Sequence, residues 1–259
     1  MMKSKWAVFG TSVLLLGMAL AAEAHFQVLI PSTDIVTARG PRTVELDILF
    51  THPMEQGPVM PMGQPSQFGV MVGGDRKNLL DTLQPVSRDG KSSYKASYTI
   101  RRPGDHIFFI EPAAYWEPAE EKMIIHYTKV VVNGMGLEEG WDAGAGFPVE
   151  IEPLVRPYGL WTGNTFRGVV RRNEQPVPFA EIEVEYFNDG GTVDIPSDPF
   201  VTQVIKADAH GVFSYTMPRA GWWSFAALVD GDQPMKNPEG KMVDVELGAL
   251  IWIKTVDMK

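Results

Sequence analysis

Apolar residues recur along this chain with a period of two. Thr43 to Phe50 sets Val44, Leu46, Ile48 and Phe50 on one face and Thr43, Glu45, Asp47 and Leu49 on the other, the pattern of a half-buried strand. Ala180 to Phe187 repeats it, with Ile182, Val184 and Tyr186 opposite Glu181, Glu183 and Glu185. Further short runs read as strands: Phe26 to Ile30, Phe68 to Val72, Leu79 to Val86, Ser92 to Ile100, His106 to Glu111 and Met123 to Val132. In the second half they are Asn164 to Arg171, Val201 to Ala207, Val212 to Met217, Trp222 to Asp230 and Val243 to Ile253. Gly, Pro, Asn and Asp punctuate them, as in Gly73-Gly74-Asp75, Asp89-Gly90, Arg102-Pro103-Gly104-Asp105 and Asn188-Asp189-Gly190-Gly191. Helical periodicity is scarce. Regular short strands with turn signals predict an all-β chain of immunoglobulin-like sandwiches.

Two stretches depart from this rhythm. Residues 1–24 begin with Lys3 and Lys5, continue in an apolar run from Ala7 to Leu20, and end in Ala22-Glu23-Ala24. That is the form of a signal peptide cleaved after Ala24, with a run shorter than the ~20 residues of a membrane span. An uncleaved signal anchor is the alternative. No other stretch is long and apolar enough to span a bilayer. Near Val149 to Pro157 the chain passes from a glycine-rich, acidic loop (134–146) into a segment carrying Pro153 and Pro157. A boundary there divides the mature chain into an N-terminal β-sandwich, 25–155, and a C-terminal immunoglobulin-like sandwich, 156–259, in tandem after the signal peptide.

Composition narrows the chemistry. The chain has no cysteine, so it contains neither disulfides nor thiolate ligands or nucleophiles. Its net charge of −9 becomes one unit more negative without Lys3, Lys5 and Glu23, which disfavours nucleic acid as a partner. Metal ligation falls to the five histidines and, for soft ions, to the 13 methionines. Cleavage after Ala24 makes His25 the first mature residue. Its α-amine and ring Nδ1 together close a six-membered chelate on a metal ion, and both groups lose their protons near neutrality.

Three more residues belong with it. His52 ends a strand and precedes Pro53, which stiffens the exit, and the loop Met54 to Gly63 that holds Met54, Glu55, Met60 and Met62. His126 lies within a strand on the face of Ile124 and Thr128. Glu117, in the loop Pro112 to Lys122, is an oxygen ligand or a partner that orients an imidazole. The competing readings are a strand-capping His52, a hydrogen-bonded strand His126 and a solvated Glu117. His106 reads as a surface or core-edge residue and His210 as a turn residue. There is no Gly-x-Ser-x-Gly elbow, phosphate loop or His-Glu-x-x-His helix, and no carboxylate pair is placed across a cleft, so the chain reads as non-catalytic.

His25-Phe26-Gln27-Val28-Leu29-Ile30-Pro31-Ser32, Thr51-His52-Pro53 with its Met/Gly/Pro loop, and Tyr115-Trp116-Glu117-Pro118 followed by His126-Tyr127-Thr128-Lys129 resemble one family over nearly the whole mature chain. It is the exported periplasmic component of nickel and cobalt uptake systems with energy-coupling-factor-type transporters. The stretch Gly168 to Leu228 also resembles small β-sandwich repeats of secreted proteins. The resemblance implies a periplasmic protein that binds Ni or Co, with Cu or Zn as alternatives, and works with membrane transporter subunits; His25, His52 and His126 match its recurring positions. Two other classes stay open: a copper histidine-brace oxidase, and a metal-free exported binding or adhesion module.

Overall fold

The computed structural model describes residues 25–259; the leader lies outside the described residues. Sixteen strands carry the architecture: β1 (Phe26–Pro31), β2 (Thr43–Thr51), β3 (Gln67–Val72), β4 (Asp75–Asn78), β5 (Gln84–Arg88), β6 (Lys91–Thr99), β7 (Gly104–Glu111), β8 (Tyr115–Glu117), β9 (Lys122–Gly134), β10 (Val149–Pro153), β11 (Thr165–Arg172), β12 (Glu181–Tyr186), β13 (Gln203–Lys206), β14 (Val212–Thr216), β15 (Gly221–Asp230) and β16 (Val245–Val256). Among the described residues there is no α-helix, only two 3₁₀ turns, at Leu80–Thr82 and Asp198–Phe200. The first replaces part of the strand expected over 79–86.

Three sheets stack. The first runs β1-β2-β6-β5, with Val59–Met60 added to β2. The middle sheet runs β13-β12-β15-β16-β9-β7-β3-β4. The third joins β10 and β14 to β11. Period-two alternation sends neighbouring side chains of the middle sheet to opposite faces. Phe108, Ile110, Leu250 and Trp252 pack with Phe26, Val28, Leu46 and Ile48 of the first sheet. Ile107, Phe109, Phe225 and Ile251 pack with Ile151, Phe166 and Val170 of the third.

The fold is a β-sandwich with the middle sheet packed on both faces, by the first sheet on one and the third on the other. The joint is β9 against β16, parallel from Met123↔Val245 to Val130↔Trp252. A strand covered on both faces reads as a continuous apolar run, which is why Leu247 to Ile253 and Ile107 to Ile110 do not alternate. The C-terminal strand also reaches the N-terminal one: Trp252 Nε1 donates to the Gln27 carbonyl at 2.9 Å.

Two local expectations need correcting. Tyr115–Glu117 do not lie in a loop but form β8, paired with β9 from Tyr115↔Ile124 to Glu117↔Lys122. The residues between them make a tight turn with Glu121 at φ 53°. His106 is fully buried, not at a surface or core edge. Its Nδ1 pairs with the Gly104 carbonyl at 3.0 Å and its ring contacts Tyr98. Burial disfavours the imidazolium and holds its pKa below the usual value against the pull of that carbonyl. His210 sits in an exposed turn, as expected.

Candidate functional site: a histidine cluster at the end of two sheets

β1 and β2 pair antiparallel with Phe26 opposite Thr51. The next pair in that register is His25 and His52. Their rings meet with centroids 4.5 Å apart, beyond the last rung of the ladder. His52 shares a strand face with Phe50, two residues earlier, and Phe50 stacks on His25 at 5.5 Å. β8 closes the group from the middle sheet: His25 Nε2 lies 3.0 Å from Glu117 Oε2, and the Tyr115 ring is 5.7 Å from the His25 ring. The other oxygen of Glu117 accepts the Ala119 N–H at 2.8 Å, so both carboxylate oxygens have partners. Burial, and then the Glu117 charge, push the Tyr115 phenol above its usual pKa.

His126 faces the first sheet with Ile124 and Thr128, as the period-two reading placed it, but it stands one ring further back. It meets the other face of the group through Phe50, edge-on at 5.8 Å, and its Nε2 lies 3.4 Å from Glu246 Oε1. Burial raises the Glu246 pKa, but hydrogen bonding and charge from His126, with Lys122 and His25, outweigh it and hold the carboxylate low. Among the described residues no three His, Asp or Glu side chains are arranged to hold a metal ion by themselves.

Glu246 has no sequence signature. Its partner is 120 residues away, and only the parallel register Ile124↔Glu246 brings the two together. The same strand shapes the floor. The His126 ring lies on Gly248, where an added Cβ would sit 2.3 Å from Cδ2 and 2.8 Å from Nε2. The ring is buried. Gly248→Ala is expected to cost about 1–3 kcal/mol of stability by overpacking, read as a lowered urea midpoint at unchanged slope. A midpoint equal to wild type would show that the floor yields.

The loop after His52 is fixed by the second half of the chain. Met54 N–H donates to Glu185 Oε2 at 3.2 Å. Asn188 donates its backbone N–H to the Pro53 carbonyl at 3.1 Å and its Nδ2 to the Met54 carbonyl at 3.2 Å. Glu185 belongs to the polar face of β12, yet it is fully buried because this loop lies over it. Burial lifts its pKa to about 8, against the hydrogen bonds from Thr202 and Met54. Next to it, Glu183 is lifted to about 8 by burial and by Glu246, Glu181 and Glu120.

These features define an all-β, immunoglobulin-like sandwich protein with a buried histidine–carboxylate cluster at one end of its first two sheets. Residues 22–231 match the model of a domain of unknown function, DUF4198, and the chain belongs to that family. No curated protein matches it. Among solved structures it is similar to the Yersinia pseudotuberculosis adhesin InvE, at 13% identity and TM-score 0.26, over 86% of this chain and 58% of the adhesin. It is also similar to a fragment of titin, at 10% identity and TM-score 0.21, over 88% of this chain and 67% of the fragment. BcpA, the major pilin subunit of Bacillus cereus, matches at 10% identity and TM-score 0.20, over 91% of this chain and 68% of the pilin. The chain thus spans just over half of the adhesin's length. Among the described residues no helix is long and apolar enough to cross a membrane.

Proposed function

We propose that this protein is a non-catalytic periplasmic metal-binding protein, exported and cleaved after Ala24, which captures Ni(II) or Co(II) and presents it to a membrane uptake transporter. The observation that carries the reading is the 3.0 Å contact between His25 Nε2 and Glu117. A metal-bound histidine commonly gives its far ring nitrogen to a carboxylate, which sets the ring's orientation and raises its basicity. With Glu117 on Nε2, the ring nitrogen nearer the backbone, Nδ1, is the one that chelates together with a terminal amine.

His25 then supplies two donors, one of them not a side chain, and His52, at 4.5 Å between ring centroids, supplies the next. His126 stands behind this pair, past the Phe50 ring, and its Nε2 is turned to Glu246. Nitrogen donors with a nearby carboxylate suit borderline divalent ions. Copper and zinc fit the same donors, so the ion present in the cell is set by supply as much as by the site.

The test is elemental analysis of protein purified from the periplasm with its native N-terminus. The expected result is about one equivalent of nickel or cobalt. Copper with reductant-dependent peroxide production would replace the reading with an oxidase. Metal-free protein that binds none of these ions on titration would replace it with a binding or adhesion module.

A further inference from the structure

Behind the histidine cluster lies a cavity of about 30 Å³ between the two sheets, lined by Gln27, Phe50, Met62, Tyr115, Ile124 and His126. Two polar atoms of its lining residues, Gln27 Oε1 and His126 Nδ1, are buried and have no hydrogen-bond partner among the described residues. Buried polar atoms are nearly always satisfied, so two at one cavity mark a place for a guest. The ring edge of His126 that carries Nε2 and Cδ2 lies against Gly248 and Glu246 on the β16 side. The opposite edge, with Nδ1, is therefore turned toward β8 and the cavity. Met62 adds a thioether, whose sulfur lies 3.9 Å from Gln27 Nε2.

We propose that this cavity is a second metal site, for a soft monovalent ion of the Cu(I) or Ag(I) type, held between Met62 Sδ and His126 Nδ1 with Gln27 Oε1 alongside. The charge balance selects the ion. All the named lining residues are neutral in their usual forms, so a buried divalent ion would be uncompensated, whereas one positive charge costs far less. Thioether and imidazole are donors that favour a soft ion, and the Phe50 and Tyr115 rings offer cation–π support. The volume exceeds the ~10–15 Å³ that one water needs. This site goes beyond the divalent site at His25, since it uses neither the α-amine nor His52.

Silver is the probe, because it does not change oxidation state during the measurement. The mature protein is titrated with Ag(I) and Ni(II) by calorimetry, alongside Met62→Leu and a form with one extra residue ahead of His25. Met62→Leu is expected to lose at least tenfold in Ag(I) affinity and keep its Ni(II) affinity, and the extended form to keep its Ag(I) affinity. Loss of Ni(II) binding alone would remove the divalent reading and leave this one standing. Crystals of wild-type protein soaked in Ag(I) give the same answer whether or not the variant folds. Anomalous density between Met62 and His126 is expected; silver elsewhere, or none, overturns the proposal, as does unchanged Ag(I) affinity in folded Met62→Leu.

Discussion

Mature protein carrying a single extra residue ahead of His25 is expected to bind Ni(II) at least tenfold more weakly than the native form. A tenfold loss corresponds to about 1.4 kcal/mol. The extension leaves every side chain in place and turns the α-amine into an amide, which does not donate its lone pair to a metal. The imidazole, His52 and the Glu117 contact all persist, so some affinity remains. Calorimetry on the two forms, both checked for equal thermal stability, isolates the backbone donor. Equal affinities would show that the terminal chelate does not operate.

The second large effect concerns pH. Glu185 is buried under the loop that follows His52, with its pKa lifted to about 8 from 4.5. Between those values the folded chain keeps a proton that the unfolded chain has released, so folding takes up a proton and stability falls as pH rises. Below about 4.5 both states are protonated, and above about 8 both are ionised, so the slope vanishes outside the window. Glu183 acts in the same direction. Wild-type stability is expected to drop by a few kcal/mol from pH 5 to pH 8, at about 1.4 kcal/mol for each pH unit per group fully engaged, with the fall partly offset below 6.5 by His106, whose lowered pKa acts in the opposite direction.

Glu185→Gln removes the titration and keeps an acceptor for the Met54 N–H. Its amide N–H₂ takes the place of Oε1 beside the Thr202 hydroxyl, which turns from donor to acceptor. The variant is expected to be the more stable protein at pH 8 and, in urea unfolding at pH 5, 6.5 and 8, to show roughly half the wild-type slope between pH 6.5 and 8. A wild-type profile that is flat across this window would show that the loop does not hold Glu185 protonated.

Several elements were legible in the letters because their cause is local. The alternation in Thr43–Phe50 places Val44, Leu46 and Ile48 in the core and leaves Thr43 and Glu45 exposed. His126 shares the face of Ile124 because residues two apart on a strand must. What the letters did not carry depends on partners distant in sequence. Glu246 is defined by a parallel strand, and parallel pairing has no turn to announce it. Glu185 alternates like a solvent-facing residue, and only the tertiary path of residues 53–57 covers it. His106 follows a Gly-Asp turn, which suggests exposure, but the strand it opens lies in the middle layer and is covered on both faces. The sandwich class was legible from the short alternating strands; that one sheet joins both halves of the chain is encoded only in apolar runs too continuous for a one-sided sheet.

The floor beneath His126 is made by β16, the last strand, whose Trp252 also holds the carbonyl of Gln27 in the first. In a chain that crosses a membrane N-terminus first, as proposed here, His25 arrives early and Gly248 late. Until residues 245–256 follow, β9 has no neighbour on that side and the cluster has no rear wall. Ion capture would then report that translocation is complete, and a fragment stalled before β16 would present a terminal histidine to the periplasm without the enclosure needed to retain a metal.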